Sequence, residues 1–396
     1  MRALVPVAVL LAIALPAAAR EEWRGRLAAE FWGFAHSGLD PVQHRGDASL
    51  AVQPEYLARS RDGHQSLTFA GFYRWDQRDR QRTHGDLREL LWLYAGQGYE
   101  LRAGIGKVFW GVTETQHLVD VVNQIDLVEN PDRKERLGQP MLGATLLTGS
   151  GNLEFYLLPY FRERTFPGAE GRLRSVPRVD TGQAARYESP RGARHLDAAA
   201  RWTRTLGAWD LGLSYFRGTD REPRLAPGLD AGGQPVLVPD YRQLRQLGVE
   251  TQATLERWQW KLEAVRRAER GASSHAATAG FEITLPGLLG GPSDLGLLAE
   301  YLYDSRGRAA FTPYQDDAML GLRWTANDGP GTQLLATIVI DRRSSERAFS
   351  LEASRRLGAN LAASLEARAF SARAPDEFLY SLRRDDTAQL KLTYYF

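Results

Sequence analysis

Apolar and polar residues alternate along most of this chain, in stretches close to the ~10 residues of a membrane-crossing strand. In SLTFAGFYRWD, Leu67, Phe69, Gly71, Tyr73 and Trp75 share one parity. In DLGLLAEYLYD, Leu295, Leu297, Ala299, Tyr301 and Tyr303 stand together, with Glu300 and Asp304 opposite. LGVETQATLE sets Leu247, Val249, Ala253 and Leu255 against Glu250, Gln252 and Glu256. Strand side chains alternate faces with period two, so each stretch reads as a strand with one apolar and one charged face. The pattern predicts strands centred near Ala29, Val52, Phe69, Leu91, Ala103, Gly143, Tyr156, Ala200, Leu213, Val249, Leu262, Ala279, Ala299, Leu322, Ala336, Leu351, Leu365 and Leu392. That is about eighteen, with sixteen as the alternative count.

The connections alternate short and long. RDGH, TGSG and NDGPG are tight turns, whereas Thr113–Gln139, Glu163–Arg194 and Ser371–Asp386 are long. This rhythm is expected of an antiparallel up-and-down β-barrel in a bacterial outer membrane, with turns on the periplasmic side and loops outside. A sheet in lipid must close, because each unpaired backbone group there costs several kcal/mol. Aromatics such as Trp75, Trp209, Trp260 and Tyr394 fall near strand ends on the apolar parity, where interfacial girdles belong. A soluble sandwich or barrel would explain the alternation but not the loop rhythm.

The two chain ends agree with export. Arg2, the apolar run Ala3–Leu15 and the small residues Ala17–Ala19 have the layout of a secretory signal peptide over residues 1–19. Residues 20–396 then form the barrel. At the other end, TAQLKLTYYF places Leu390, Leu392, Tyr394 and Phe396 on one face. That arrangement is similar to the C-terminal strand signature of bacterial outer-membrane proteins. The resemblance implies recognition by the barrel-assembly machinery and pairing of the last strand with the first.

One segment breaks the strand pattern. In TETQHLVDVVNQIDLVENPDRKERLGQP, the residues Leu118, Val121, Val122, Ile125 and Val128 recur at helical spacing. Thr113 and Gln116 match a capping box, and Asn130–Pro131 is a stop. The expectation is a helical inserted loop over 113–139. Its polar residues Glu114, His117, Asp120, Asn123, Asp126 and Glu129 are candidates for a pore constriction; the alternative is a helix lying across the mouth. The stretch also resembles a hairpin motif of porin-like outer-membrane families, through Gly106, Lys107, Trp110, Gly111, Asn123 and Asp126. That resemblance implies a porin-like barrel and names no solute.

Composition adds two exclusions. Zero cysteines rule out disulfide stapling, and a net charge of +2, from 50 Lys+Arg against 48 Asp+Glu, offers no basic excess for nucleic acid. On the inward parity, Arg74, Arg102, Arg201, Glu250, Lys261, Glu300, Arg323, Glu366 and Arg368 are candidate lumen residues. Placing them on the lipid face would cost roughly 2–4 kcal/mol each at mid-membrane. The arginines of the 162–194 loop are expected to meet lipopolysaccharide phosphates outside.

Catalytic motifs are missing. The seven histidines show no HExxH spacing, and there is no GxSxG, P-loop or cysteine ligand. His195 beside Asp197 is the one local pair to check. The sequence therefore points to a channel for passive diffusion of small polar or charged solutes, without catalytic, metal or cofactor sites. Its expected partners are lipid, lipopolysaccharide, the assembly machinery and solute, with a homotrimer as a further alternative. Barrels for surface polysaccharide export, or barrel enzymes with a rim site, are the other readings.

Overall fold

The computed structural model describes residues 18–287 and 290–396. The expected leader, residues 1–19, falls outside that range apart from Ala18 and Ala19, which begin the first strand.

The fold is a closed, antiparallel barrel of eighteen strands. In chain order these are β1 (Ala18–Phe34), β2 (Gly46–Ser60), β3 (Gln65–Asp76), β4 (His84–Ala95), β5 (Tyr99–Gly106), β6 (Gln139–Thr148) and β7 (Gly151–Leu158). A two-residue strand, β8 (Arg186–Tyr187), lies outside the barrel. The wall continues with β9 (Asp197–Leu206) and β10 (Trp209–Thr219). Then come β11 (Arg224–Leu229) and β12 (Pro235–Tyr241), which join β8 in a small separate sheet. The remaining wall strands are β13 (Gln243–Leu255), β14 (Trp258–Glu269), β15 (Ala272–Leu285), β16 (Asp294–Asp304) and β17 (Asp316–Thr325). Last are β18 (Gln333–Asp341), β19 (Arg347–Arg356), β20 (Leu361–Ser371) and β21 (Thr387–Tyr395). Every strand centre read from the alternation falls inside one of the eighteen.

Closure runs through β1, which pairs with β2 on one side and β21 on the other. The seam extends to the final residue: Gly25 N–H donates to the Phe396 carbonyl at 2.9 Å, and Phe396 N–H donates to the Gly25 carbonyl at 3.0 Å. The alternation decides which face meets which medium. Outward side chains form an apolar belt that includes exposed Leu27, Phe31, Leu213, Leu247, Leu320, Leu390 and Tyr394. Trp258, Trp260 and Phe281 cluster on that outer face near the turn end. An exposed belt of this composition needs lipid to cover it, and the architecture is that of an outer-membrane barrel.

The loop rhythm holds with two exceptions on the long-loop side. β14 and β15 are joined by Arg270 and Gly271 alone, with Gly271 at φ +77°, and β18 and β19 are joined by residues 342–346. The rim is therefore low over β14 and β15.

Two expectations are corrected. Residues 113–139 form no helix; they run as turns and isolated bridges. The backbone N–H groups of Thr113, Glu114, Thr115 and Val119 are taken by carboxylates of the wall rather than by carbonyls four residues back. The 162–194 loop does not spread its arginines outward. Arg162 pairs with Asp86 at 2.5 Å, Arg172 with Asp385 at 2.7 Å, Arg174 with Asp40 at 3.1 Å and Arg178 with Asp230 at 2.9 Å. The loop folds over the mouth because its cations find carboxylates of other loops and of the wall there, of which Asp385 is buried. Only Arg186, Arg191 and Arg194 of the set remain exposed.

Candidate functional site: the lumen and its inserted segment

The inward faces of the strands carry charge, as alternation requires, and most of it is paired. Arg201 of β9 donates through Nε to Glu250 of β13 at 2.8 Å and approaches Glu154 at 3.5 Å. Arg102 reaches Glu100 at 3.1 Å and the Tyr156 hydroxyl at 3.3 Å. Arg368 pairs with Glu366 at 2.7 Å and Asp132 at 3.6 Å. Arg323 bridges Glu282 at 3.1 Å and Glu114 at 2.7 Å. Lys261 sits half-buried on the inner face of β14.

The segment 107–138 enters the lumen and is pinned to the wall. Glu263 of β14, fully buried, accepts hydrogen bonds from Val112 N–H at 2.7 Å, Thr113 N–H at 3.0 Å, the Thr113 hydroxyl at 2.7 Å and Val119 N–H at 3.2 Å. Glu300 of β16 accepts from Glu114 N–H at 2.6 Å, Thr115 N–H at 2.9 Å and the Thr115 hydroxyl at 2.6 Å. Gly111 makes this approach possible. It sits at φ +126°, and a Cβ there would lie 2.8 Å from Glu263 Oε1. The Thr113 hydroxyl oxygen also lies 2.6 Å from the Gln116 carbonyl oxygen, sharing its one proton between the two acceptors, so the residues of the expected cap form a local turn instead.

Most of the six constriction candidates prove to be anchors. Asn123 is buried, accepting from Val108 N–H and donating to the Gly106 and Leu137 carbonyls, which ties the two ends of the segment together. Asp120 pairs with Arg136 at 2.8 Å. Asp126 pairs with Arg88 at 2.6 Å and accepts from the Thr165 hydroxyl at 2.6 Å. Glu129 takes the Arg74 guanidinium at 2.7–3.0 Å, and Arg74 also holds Glu30 at 2.8 Å. His84, Asp126 and Glu129 bring three ligand atoms within 4.8 Å of one another. Both carboxylates already face guanidinium groups, which makes the cluster an ion-pair network rather than an evident metal site. Only Glu114 and His117 keep partly exposed side chains.

Apolar residues of the segment fill one side of the lumen. Val108, Trp110, Val119, Val121 and Val122 pack against Met141, Tyr156, Leu158, Ala199, Phe216, Leu244, Val265 and Ala276, which come from seven successive wall strands. Trp110 is fully buried, with the Arg201 guanidinium 5.6 Å from its ring centroid. Of the apolar residues spaced like a helix, Val121 and Val122 are buried in this cluster, Leu118 packs against it, and Val128 is buried elsewhere.

The opposite side stays open as a cavity of about 930 Å³. Its lining includes nine Arg or Lys residues, among them Arg133, Lys134, Arg242 and Arg368, against six Asp or Glu residues, among them Asp132, Glu222 and Glu352. One row of this wall, Met319, Val339, Ala348 and Phe370 in register, is apolar, above a row of Gly321, Thr337, Ser350 and Arg368. Alternation alone did not reveal that row, because it identifies a face without separating the levels along it.

The loops above the cavity are held by Glu222, which no local pattern singled out. It pairs with Arg306 at 2.9 Å and Arg267 at 3.5 Å and accepts from Phe311 N–H at 2.9 Å. Burial pushes its carboxyl up, but Arg267, Arg306, Arg133 and Arg164 together hold it well below the usual carboxylate range. A depressed carboxyl contributes stability above the ordinary carboxylate range and loses it only as pH falls through its own lower value. Glu222→Gln is expected to lower the melting temperature at pH 7, by an equal amount at pH 5, with the difference closing only in stronger acid. A difference that vanished at pH 5 would contradict this assignment.

His195 and Asp197 do meet, with Nδ1 2.7 Å from Oδ1. Asp197 is also committed to Arg221 at 2.6 Å and to Thr219 N–H at 3.0 Å, which makes it a buried brace.

No family model and no curated protein matches the chain. Solved structures with a similar fold include a BenF-like porin from Pseudomonas fluorescens Pf-5, at 9% identity and a TM-score of 0.57 over 95% of this chain and 98% of that one. Pseudomonas aeruginosa OccK2 (OpdF), solved in complex with glucuronate, is similar at 11% identity and a TM-score of 0.56, over 95% and 96% of the chains. OccK3 (OpdO) of the same organism is similar at 13% identity and a TM-score of 0.54, over 95% and 96%. At these identities the likeness is one of fold. Fold and lumen together define the class: a transmembrane eighteen-strand barrel of porin architecture with an inserted segment folded inside.

Proposed function

We propose that this chain is an outer-membrane channel through which small polar or charged solutes diffuse. The observation that carries the reading is the lumen itself. The segment 107–138 closes one side of the barrel and leaves a charged cavity along the other. Solute enters over the loops braced by Glu222 and passes Glu114, Lys134 and Arg368 on the constricted side. The porin folds of the similar structures support this reading. A mixed lining suits transit, since binding must be weak enough for release. The test is single-channel recording in a planar bilayer, on the chain and on a form lacking residues 115–136. Stepwise, ion-selective conductance that rises on deletion supports a narrowed channel. A chain that inserts yet carries no current in either form would overturn it.

Lys134 offers a finer check. Its Nζ lies 2.6 Å from both Glu352 oxygens, and the two side chains are 52% and 32% exposed. Such a pair adds little stability. Its charges act on passing ions instead. Lys134→Gln is expected to shift the anion-to-cation permeability ratio toward cations by about five-fold, because one charge ~8 Å away in water is worth about 0.5 kcal/mol to each ion, with opposite sign for the two. The reversal potential in a salt gradient reads this directly.

A further inference from the structure

The apolar belt ends, at its long-loop edge, in a group of arginines that no ion pair explains. Arg217 of β10 stands directly opposite Arg245 of β13 in register. Arg266 of β14 pairs with Leu247 and so lies on the diagonal from Arg245. All three are exposed. By parity they belong with outward Leu213, Tyr215, Leu247 and Val249, not with the lumen. The ion pairs of these strands lie on the other face, where Glu250 meets Arg201 and Arg267 meets Asp220. None of the three has a carboxylate partner among the described residues.

Like charges directly opposite each other on a sheet repel. Here three converge on adjacent strands, within three residues of the strand ends, at the level where lipid headgroups begin. The two-residue connection between β14 and β15 keeps the rim low beside Arg266, and all three side chains stay exposed although the 220–242 loop joins β10 to β13. An anion that bridges them removes the repulsion, and guanidinium groups suit phosphate. Immediately toward the barrel middle the surface is exposed Leu213, Tyr215 and Leu247, which acyl chains can cover.

We propose that Arg217, Arg245 and Arg266 form a docking site for the phosphate groups of an acylated phosphoglycolipid of the outer leaflet. The placement of this edge in the outer leaflet rests on the channel reading above, whereas lipid binding is measured apart from conduction. The site replaces the 162–194 loop, whose arginines are largely consumed internally, as the point of contact with lipid phosphate.

The test uses the whole barrel in neutral detergent. Binding of a bis-phosphorylated acylated disaccharide lipid, its dephosphorylated form, phosphatidylcholine and inorganic phosphate is followed by native mass spectrometry and thermal shift. The chain is expected to retain the phosphorylated glycolipid in preference to the other three. Each arginine near a lipid surface contributes about five-fold in affinity, so the variant Arg217→Gln, Arg245→Gln, Arg266→Gln should bind on the order of 100-fold more weakly. Its conductance should match the parent. Arg204→Gln, an exposed arginine at the opposite end of β9, should leave lipid binding unchanged. Equal retention by the triple variant, or equal retention of phosphatidylcholine, overturns the site. Binding of inorganic phosphate as tight as that of the glycolipid overturns the lipid as its occupant. A parent barrel that binds glycolipid but never conducts would sink the channel reading alone.

Discussion

Glu263→Ala is expected to release the inserted segment and raise single-channel conductance, while the barrel itself stays folded. The wall does not depend on this side chain, because its strands are held by backbone ladders on both sides of β14. The segment does depend on it. Three backbone N–H groups and one hydroxyl converge on a buried carboxylate, and hydrogen bonds to a charged acceptor are worth more than neutral ones. Losing them together, with some repayment by water, costs the docked state roughly 3–6 kcal/mol. That is enough to make an undocked state populated. Glu263→Gln should fall between, since the amide keeps one oxygen as acceptor but loses the charge. Glu263→Ala with Glu300→Ala should exceed either single change, because the two carboxylates hold neighbouring stretches of the same segment. Two readouts separate docking from folding: conductance in a bilayer, and protease cleavage within 107–138 on barrels that retain heat-resistant gel mobility. Unchanged conductance together with unchanged protease resistance would contradict the anchoring role.

The same carboxylate shows why the strands were legible in the sequence and the segment was not. A membrane strand is specified locally: lipid on one side and lumen on the other force a period of two, and each of the eighteen strands carries it. The same rule puts the charges of Arg201, Glu250, Arg323 and Arg368 on the face opposite the apolar belt. Leu118, Val121, Val122, Ile125 and Val128 carry no such constraint. Their spacing fits a helix, and it equally fits an irregular chain that presents apolar groups to an apolar wall. What decides is where the backbone N–H groups find acceptors. The acceptors are Glu263 and Glu300, more than 140 residues away in sequence. Asn123, Asp126 and Glu129 looked like pore-lining groups for the same reason: Arg88 and Arg74 lie on other strands, and the carbonyl groups that Asn123 ties lie 17 and 14 residues away, outside any local pattern. The small sheet of β8, β11 and β12 was invisible because two of its members are brief and one pairing is non-local.

Removing Phe396 is expected to open the barrel seam, and replacing it by Ala to leave the seam closed. The distinction rests on backbone against side chain. Phe396 contributes two backbone hydrogen bonds to Gly25, and deletion leaves both Gly25 groups without partners at the junction of β1 and β21. Near lipid such groups have little water to turn to, so the loss is roughly 2–5 kcal/mol. It falls where the sheet has no redundancy, because fraying there exposes the edges of two strands together. The fraction of heat-resistant barrel after refolding into lipid vesicles should fall markedly for the deletion. Phe396→Ala keeps both backbone bonds and removes only a ring that packs over Gly25, where a Cβ would lie 2.6 Å from its edge. In vesicles it should refold nearly as well as the parent. In cells the two variants should converge if the aromatic ring is what the assembly machinery reads, because both lack it. Poor membrane assembly of Phe396→Ala in cells with normal refolding in vesicles would assign the ring to recognition and the backbone to closure. Normal assembly in cells would mean that the terminal aromatic is not a recognition signal in this chain, and that its last residue serves the seam alone.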